Sequence, residues 1–245
     1  MNKADLSHLV DESRFIFVGT VVRQATPQDR LVTSPDRTVV VRVDDILQSS
    51  EVLGGLVGKE VMVVRDRPGP LEGTLLFFTN GVAYGDNVVV QEVGHQAASP
   101  EAIREVNDLV KLASARPLLE RIAGADLIIT GRVIASHPAG KPSIRRSEHD
   151  PDWWIARVLV QSVLKGKAGS EVDVLFANSR DIAWYKSPKL EVGMSGIFLL
   201  RHQNANVVPP EVGHSIYQAI DPLDFLPIET LREVRRALNQ EGEGR

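Results

Sequence analysis

Any chemistry in this 245-residue chain would have to come from histidines, carboxylates, hydroxyls or aromatic and basic side chains, because it contains no cysteine. Thiolate zinc sites, disulfides and thiol redox chemistry are thereby excluded. The six histidines do not form a ligand pattern. A metal needs three or four converging donors, and no His-x-His or His-x3-His spacing occurs. The densest donor cluster is His149-Asp-Pro-Asp152, in a polar stretch that reads as loop. Gly193-Met-Ser-Gly196 has the wrong glycine spacing for a nucleophile elbow. Gly55-Leu-Val-Gly-Lys59 lacks both the spacing and the hydroxyl of a phosphate-binding loop. The acid pairs Asp44/Asp45 and Asp150/Asp152 come without a recognisable cleft, which argues against glycosidase chemistry. The chain reads as non-enzymatic, with no cofactor and no metal.

The most suggestive cluster is aromatic and basic. Lys141, Arg145, Arg146 and His149 precede Trp153 and Trp154, and Arg180 precedes Trp184, Tyr185 and Lys186. These two segments hold all three tryptophans and one of the three tyrosines. Such side chains serve as anchors of protein interfaces, or as platforms on which single-stranded nucleic acid stacks. They also serve to plug the end of a barrel. The expected surface comprises Arg145, Arg146, Trp153, Trp154, Arg180, Trp184, Tyr185 and Lys186, with a protein partner as the leading reading. Nucleic acid is the alternative, and the net charge of −4 disfavours it. The acidity is uneven: residues 1–115 hold 11 Lys and Arg against 16 Asp and Glu, and residues 116–245 hold 17 against 16. No apolar run approaches the roughly 20 residues that span a bilayer, and no secretory signal is visible at the start. A cytoplasmic protein without a membrane partner is expected.

The elements that would position this cluster belong to an internal repeat. Residues 15–22 (Phe-Ile-Phe-Val-Gly-Thr-Val-Val) are echoed by residues 127–134 (Leu-Ile-Ile-Thr-Gly-Arg-Val-Ile), and Glu92-Val-Gly-His95 by Glu211-Val-Gly-His214. Gly19 and Gly131 lie 112 positions apart, and His95 and His214 119 apart. A period this long indicates a duplicated domain, since solenoid repeats run to roughly 20–50 residues. The boundaries expected are 1–115, 116–240 and a disordered tail at 241–245. The shared Gly19, Gly131, Gly94, His95, Gly213 and His214 are expected to be structural. In that reading each Val-Gly-His is a turn, its glycine takes a special backbone conformation, and its histidine bonds a local carbonyl.

Within each unit, short β-branched and aromatic runs alternate with turn signals. The first unit predicts strands at 15–23, 38–47, 60–64, 74–78 and 87–91, after a short helix at 4–10. Ser99-Pro100 marks a helix start, with Ile103, Val106 and Val110 at helical spacing and an end near Pro117. The second unit predicts a helix at 118–123, strands at 127–135, 154–164, 171–176, 196–200 and 215–220, and a helix at 228–239. The fold class is mainly β with flanking helices: two tandem OB-like five-stranded Greek-key barrels. Two β-sandwiches are the runner-up.

Several of these motifs occur together in one known pattern. Residues 125–133 (Ala-Asp-Leu-Ile-Ile-Thr-Gly-Arg-Val), 157–166 ending in Val-Leu-Lys-Gly, 169–174 and 190–193 before Ile197-Phe-Leu-Leu200 resemble the netrin/TIMP-like OB-fold module. The resemblance covers most of the second unit and about half of the first. The first unit departs from it with Ser13-Arg14 in place of Ala-Asp, with Leu47-Gln48 in place of Leu-Lys, and with residues inserted before Gly58. The resemblance implies the fold. The inhibitors among such modules use an N-terminal cysteine, so their activity does not carry over to this cysteine-free chain.

Overall fold

The computed structural model describes residues 3–29, 34–50, 53, 55–84, 87–139, 151–179, 181–202 and 217–243. The chain divides into two compact units, residues 1–115 and 116–245.

The first unit opens with α1 (Lys3–Glu12), followed by β1 (Phe15–Gln24), β2 (Thr38–Gln48), β3 (Glu60–Val64), β4 (Thr74–Tyr84) and β5 (Asn87–Ala97). The strands close into a barrel in the order β1-β2-β3-β5-β4, with β4 returning to β1. All pairings are antiparallel except β3 with β5. Strand alternation sorts the apolar side chains to two sides. Phe15, Phe17, Val41, Val63, Phe77 and Val90 fill the interior, where Phe17 stacks on Phe15 and Phe77 with ring centroids 4.7 and 5.2 Å away. Ile16, Val18, Leu76 and Phe78 face outward and are covered by Leu6 and Val10 of α1. Val106, Leu109 and Val110 of α2 (Pro100–Ala123) cover the same face. Ser99 caps α2, its hydroxyl accepting from Ala102 N at 3.2 Å. Full burial of each phenylalanine contributes roughly 1.5–3 kcal/mol.

The second unit repeats the plan with β6 (Leu127–Pro138), β7 (Trp153–Lys165), β8 (Glu171–Ala177), β9 (Ser195–His202) and β10 (Tyr217–Ala219). The order β10-β8-β7-β6-β9 closes through a β10–β9 pairing, and β8 with β10 is again the parallel pair. A two-residue strand, β11 (Phe225–Leu226), adds to β9. Leu127, Ile129, Val158, Phe176 and Phe198 fill this interior. Its outer face, with Ile128, Ile197 and Leu199, is covered by Ile122 of α2 and by Val234 and Ala237 of α3 (Leu231–Glu243). Both units are therefore closed five-stranded OB-like barrels with flanking helices, which excludes the sandwich alternative.

The two barrels share their irregularities as well as their strand order. The β1–β2 register shifts between Ile16/Phe17, Val18/Gly19 and Val21/Arg23, and the β6–β7 register between Ile128/Ile129, Thr130/Gly131 and Val133/Ala135. Each shift recurs 112 positions later. At the middle one the neighbouring strand comes so close that only glycine fits. A Cβ on Gly19 would lie 2.5 Å from Val41 Cγ1 and 2.9 Å from Arg42 O, and one on Gly131 would lie 2.6 Å from Val158 Cγ1 and 2.8 Å from Leu159 O. These two glycines are structural for that reason.

Three expectations need correction. The helix begun at Ser99 does not end near Pro117, because α2 runs to Ala123 with Pro117 inside it. Losing one i→i−4 bond there is tolerated in a helix whose flanking residues are packed. The last helix does not end at 239. It begins at Leu231 after a 3-10 turn at Ile228–Thr230 and continues to Glu243, so residues 241–243 are helical. Glu92-Val-Gly-His95 is not a turn, since all four residues lie inside β5. Val93 is the extra residue of a β-bulge there, because Phe78 faces Gly94 while Thr79 faces Glu92. Gly94 has no positive φ. Its missing side chain admits Leu9 of α1, whose Cδ2 would lie 3.0 Å from a Cβ.

The matching Glu-Val-Gly-His motifs are not equivalent positions either. Val90 faces Gly81 as Tyr217 faces His202, an offset of 127 between the fifth strands. Glu92 then corresponds to Ala219, not to Glu211. Gly213 and His214 lie outside the described residues.

Candidate functional site

Of the expected binding residues, Trp153 and Trp154 lie on β7, and Trp184, Tyr185 and Lys186 lie on the connection from β8 to β9. Alternation along β7 points its first two residues to opposite faces. Trp154 enters the barrel, packs with the interior core and tilts against Phe176 at 6.5 Å between ring centroids. It is half-buried against the core. Trp153 lies on the outer face and meets Trp184 edge-on, with centroids 5.6 Å apart and ring planes at 68°. Both are half-buried. Such an edge-to-face pair is worth about 0.5–1.5 kcal/mol beyond its area burial.

The connection that carries Trp184 is fixed to the barrel by polar side chains. Lys189 Nζ donates to the backbone carbonyls of Ala177, Trp184 and Ser187 at 2.8, 2.9 and 3.0 Å. An ammonium has three N–H donors, and here all three meet the chain. Burial pulls this ammonium below the usual lysine range. Ser187 is buried and donates through Oγ to Ile220 O at 2.7 Å. Asp181 Oδ1 accepts from Ala183 N at 2.9 Å, and Trp184 N donates to Asp181 O at 2.9 Å. The start of β7 is tied to the same region by Asn178 N, which donates to Asp152 O at 2.8 Å.

This scaffold leaves a short exposed rim. Ile182 is 91% exposed and Tyr185 73% exposed, and Lys186 is exposed beside them. Among the expected residues, the structure brings Trp153, Trp184, Tyr185 and Lys186 to one side of the barrel and places Trp154 inside. Arg145, Arg146, Arg180 and the cluster at His149 lie outside the described residues. Sequence reasoning missed Ile182, Ser187 and Lys189. Ile182 opens the apolar run Ile182-Ala-Trp184 directly before Tyr185, which is a signal the sequence carries, whereas nothing in the spacing distinguishes Lys189 from a surface lysine.

Other titratable clusters serve the fold. Asp224 is fully buried. It pairs with Arg121 and accepts from Ile220 N and Asp221 N at 2.8 and 2.9 Å, closing a capping box with Asp221. Burial pushes its carboxyl up, against the pull of Arg121 and the two amides. Asp126 accepts from His202 N at 2.8 Å, and this bond holds its carboxyl below the usual range. Asp44 is occupied by Thr20 Oγ1 at 2.6 Å and Arg42 Nε at 3.0 Å, and Asp45 by Ile46 N at 2.9 Å, so this pair forms no catalytic couple. Among the described residues no group of three or more His, Asp or Glu could hold a metal. No helix among them is long and apolar enough to cross a membrane.

In the first unit, His95 bonds a carboxylate instead of a carbonyl. Its Nδ1 lies 2.7 Å from Glu92 Oε1. Two strand residues three apart normally point to opposite faces. The bulge at Val93 resets the alternation and brings them together.

No protein-family model matches the chain, and no curated protein matches it.

Proposed function

We propose that the chain is a non-enzymatic binding protein whose second barrel presents the β8–β9 connection and the start of β7 to a protein partner. One observation carries the reading. Ile182 and Tyr185 stand exposed on a connection that Lys189, Ser187 and the Trp153–Trp184 pair hold in place. An apolar and aromatic rim on a rigid base loses little conformational freedom on binding, which is how preorganised interfaces gain affinity. Tyrosine and tryptophan are also the residues that most often anchor such interfaces. The resemblance of residues 125–200 to the netrin/TIMP-like pattern is compatible with a binding module, and fold analogy adds only weak weight.

The test is co-purification from native lysate with the full chain and with Ile182→Asp/Tyr185→Ala. The double variant should lose a partner that the parent retains while keeping the parent's thermal transition. Identical retention by both would remove the basis of the proposal. Single-stranded nucleic acid is less well supported, because Trp153 and Trp184 are turned onto each other and leave Tyr185 as the one exposed ring of the expected set. That reading needs tryptophan quenching by oligonucleotides that weakens steeply with salt.

A further inference from the structure

We propose that the first barrel carries a binding site for a small oxyanion at the end of its interior, held by Arg65, Arg67 and His95. A cleft there is lined by Arg65, Asp66, Arg67, Glu92, Val93 and His95. Arg65 follows the last residue of β3 and continues its inward alternation. Glu92 lies on the neighbouring β5, facing Thr79, and the bulge at Val93 turns His95 onto the same side, opposite the core residue Phe77. Arg65 and Glu92 side chains are only 11% and 13% exposed, and that of His95 is 30% exposed. Charged side chains this deep are normally committed to structure, so how their hydrogen-bonding capacity is spent decides what the cleft can take.

Glu92 and Arg65 spend part of their capacity on each other, while Arg67 spends none on a described residue. Glu92 Oε1 is engaged by His95 Nδ1 at 2.7 Å, and Oε2 faces Arg65 Nε at 3.3 Å. Asp66 Oδ1 accepts from Gln91 Nε2 at 3.1 Å. Arg65 Nη1 donates to Gly69 O at 2.8 Å, which orients the guanidinium and keeps it in the cleft wall. Neither Arg65 Nε nor Glu92 Oε2, both buried, has a hydrogen bond of good geometry among the described residues, so the two meet as an ion pair only. Arg67 is exposed and makes no hydrogen bond or ion pair with a described residue. Glu92 fixes the orientation of the imidazole through Nδ1, leaving Nε2 as the ring's second polar atom. The cleft thus offers the guanidinium of Arg67, which has no partner among the described residues, next to the Arg65–Glu92 ion pair and an oriented imidazole, while Asp66 is bonded by a neutral amide. A phosphate or carboxylate group is the ligand chemistry that complements this set, since guanidinium forks match those oxygens in pairs.

The experiment is an amide and imidazole NMR titration of the full chain at constant ionic strength, with inorganic phosphate in one arm and acetate in the other. Saturable shifts confined to residues 65–67 and 92–95 are expected. The arm that saturates at lower concentration identifies a phosphoryl or a carboxylate ligand. Arg67→Ala should weaken binding roughly tenfold or more, the loss of one charge-assisted contact, while Arg67→Lys keeps part of it. Arg67 is exposed, so both variants should fold, and unchanged thermal unfolding checks this. The proposal is overturned if neither anion gives saturable shifts at these residues, if the shifts fall elsewhere, or if Arg67→Ala binds as tightly as the parent.

Discussion

Replacing Lys189 with methionine tests whether the β8–β9 connection is a built surface or a loose loop. The substitution keeps the apolar stem and removes the ammonium that bonds the carbonyls of Ala177, Trp184 and Ser187 at 2.8–3.0 Å. Each such bond contributes about 1 kcal/mol net, and the variant regains roughly 1 kcal/mol because it no longer withdraws a charge from water. The expected loss is therefore about 2 kcal/mol, or roughly 5–10 °C in the transition of a domain this size. Tryptophan fluorescence is the right assay, because all three tryptophans lie in the second unit and the signal reports that unit alone. Freed of its clamp, Trp184 should separate from Trp153, and the native emission should shift to the red. Lys186→Met, at an exposed neighbour, should change neither quantity. A Lys189→Met protein within about 0.5 kcal/mol of the parent, with unchanged emission, would refute the clamp.

Gly131→Ala places a Cβ 2.8 Å from Leu159 O, a backbone atom that cannot swing aside, and should cost about 1–3 kcal/mol in urea unfolding, whereas Gly169→Ala, whose Cβ meets nothing nearer than 4.0 Å, should be close to neutral. Trp154→Ala should cost about 2–3 kcal/mol as truncation of a half-buried side chain packed on the core, and Tyr185→Ala under about 0.5 kcal/mol, both read by the same unfolding curves. The Arg157 guanidinium, donating at 2.8 Å, holds the Asp173 carboxyl below the usual range. A carboxylate lowered in this way contributes stability above its unfolded pKa of about 3.9 and loses it as pH falls through the folded value. Arg157→Ala should accordingly flatten the fall in stability below about pH 4, while costing under about 1 kcal/mol at pH 7 because the pair is exposed.

The barrels were legible because their information is local. Val39, Val41 and Val43 alternate along β2, and Ser99-Pro100 caps α2, so period and capping alone place those elements. What was not legible depends on register. The four residues Glu92–His95 contain a glycine and a histidine, the usual composition of a turn, yet they continue β5 because ten β4 residues pair along it. The repeated tetrapeptide also misled the alignment of the two units, since strand pairing shifts the fifth strands by 127 positions while the histidines lie 119 apart. The two tryptophans at 153 and 154 look alike in sequence and are separated only by which face of β7 each occupies.

The comparison between the two units also indicates where function could diverge. The first two strands must keep their bulges and their glycine, because the neighbouring strand occupies the space a side chain would need. The connection after the third strand keeps packed residues in each copy, among them Leu71 in the first and Leu190 in the second, and its remaining residues differ in chemistry. In the first unit it begins with Arg65 and Arg67, whose guanidinium groups line a cleft with His95. In the second it carries Trp184 and Tyr185 and is anchored by Lys189. Away from Leu71 and Leu190, this topologically equivalent connection carries guanidinium groups in one copy and aromatic rings in the other, and it is here that the two proposed sites give the copies different ligands. The anion titration and the Ile182→Asp/Tyr185→Ala pull-down address these two surfaces separately, so each can fail without the other.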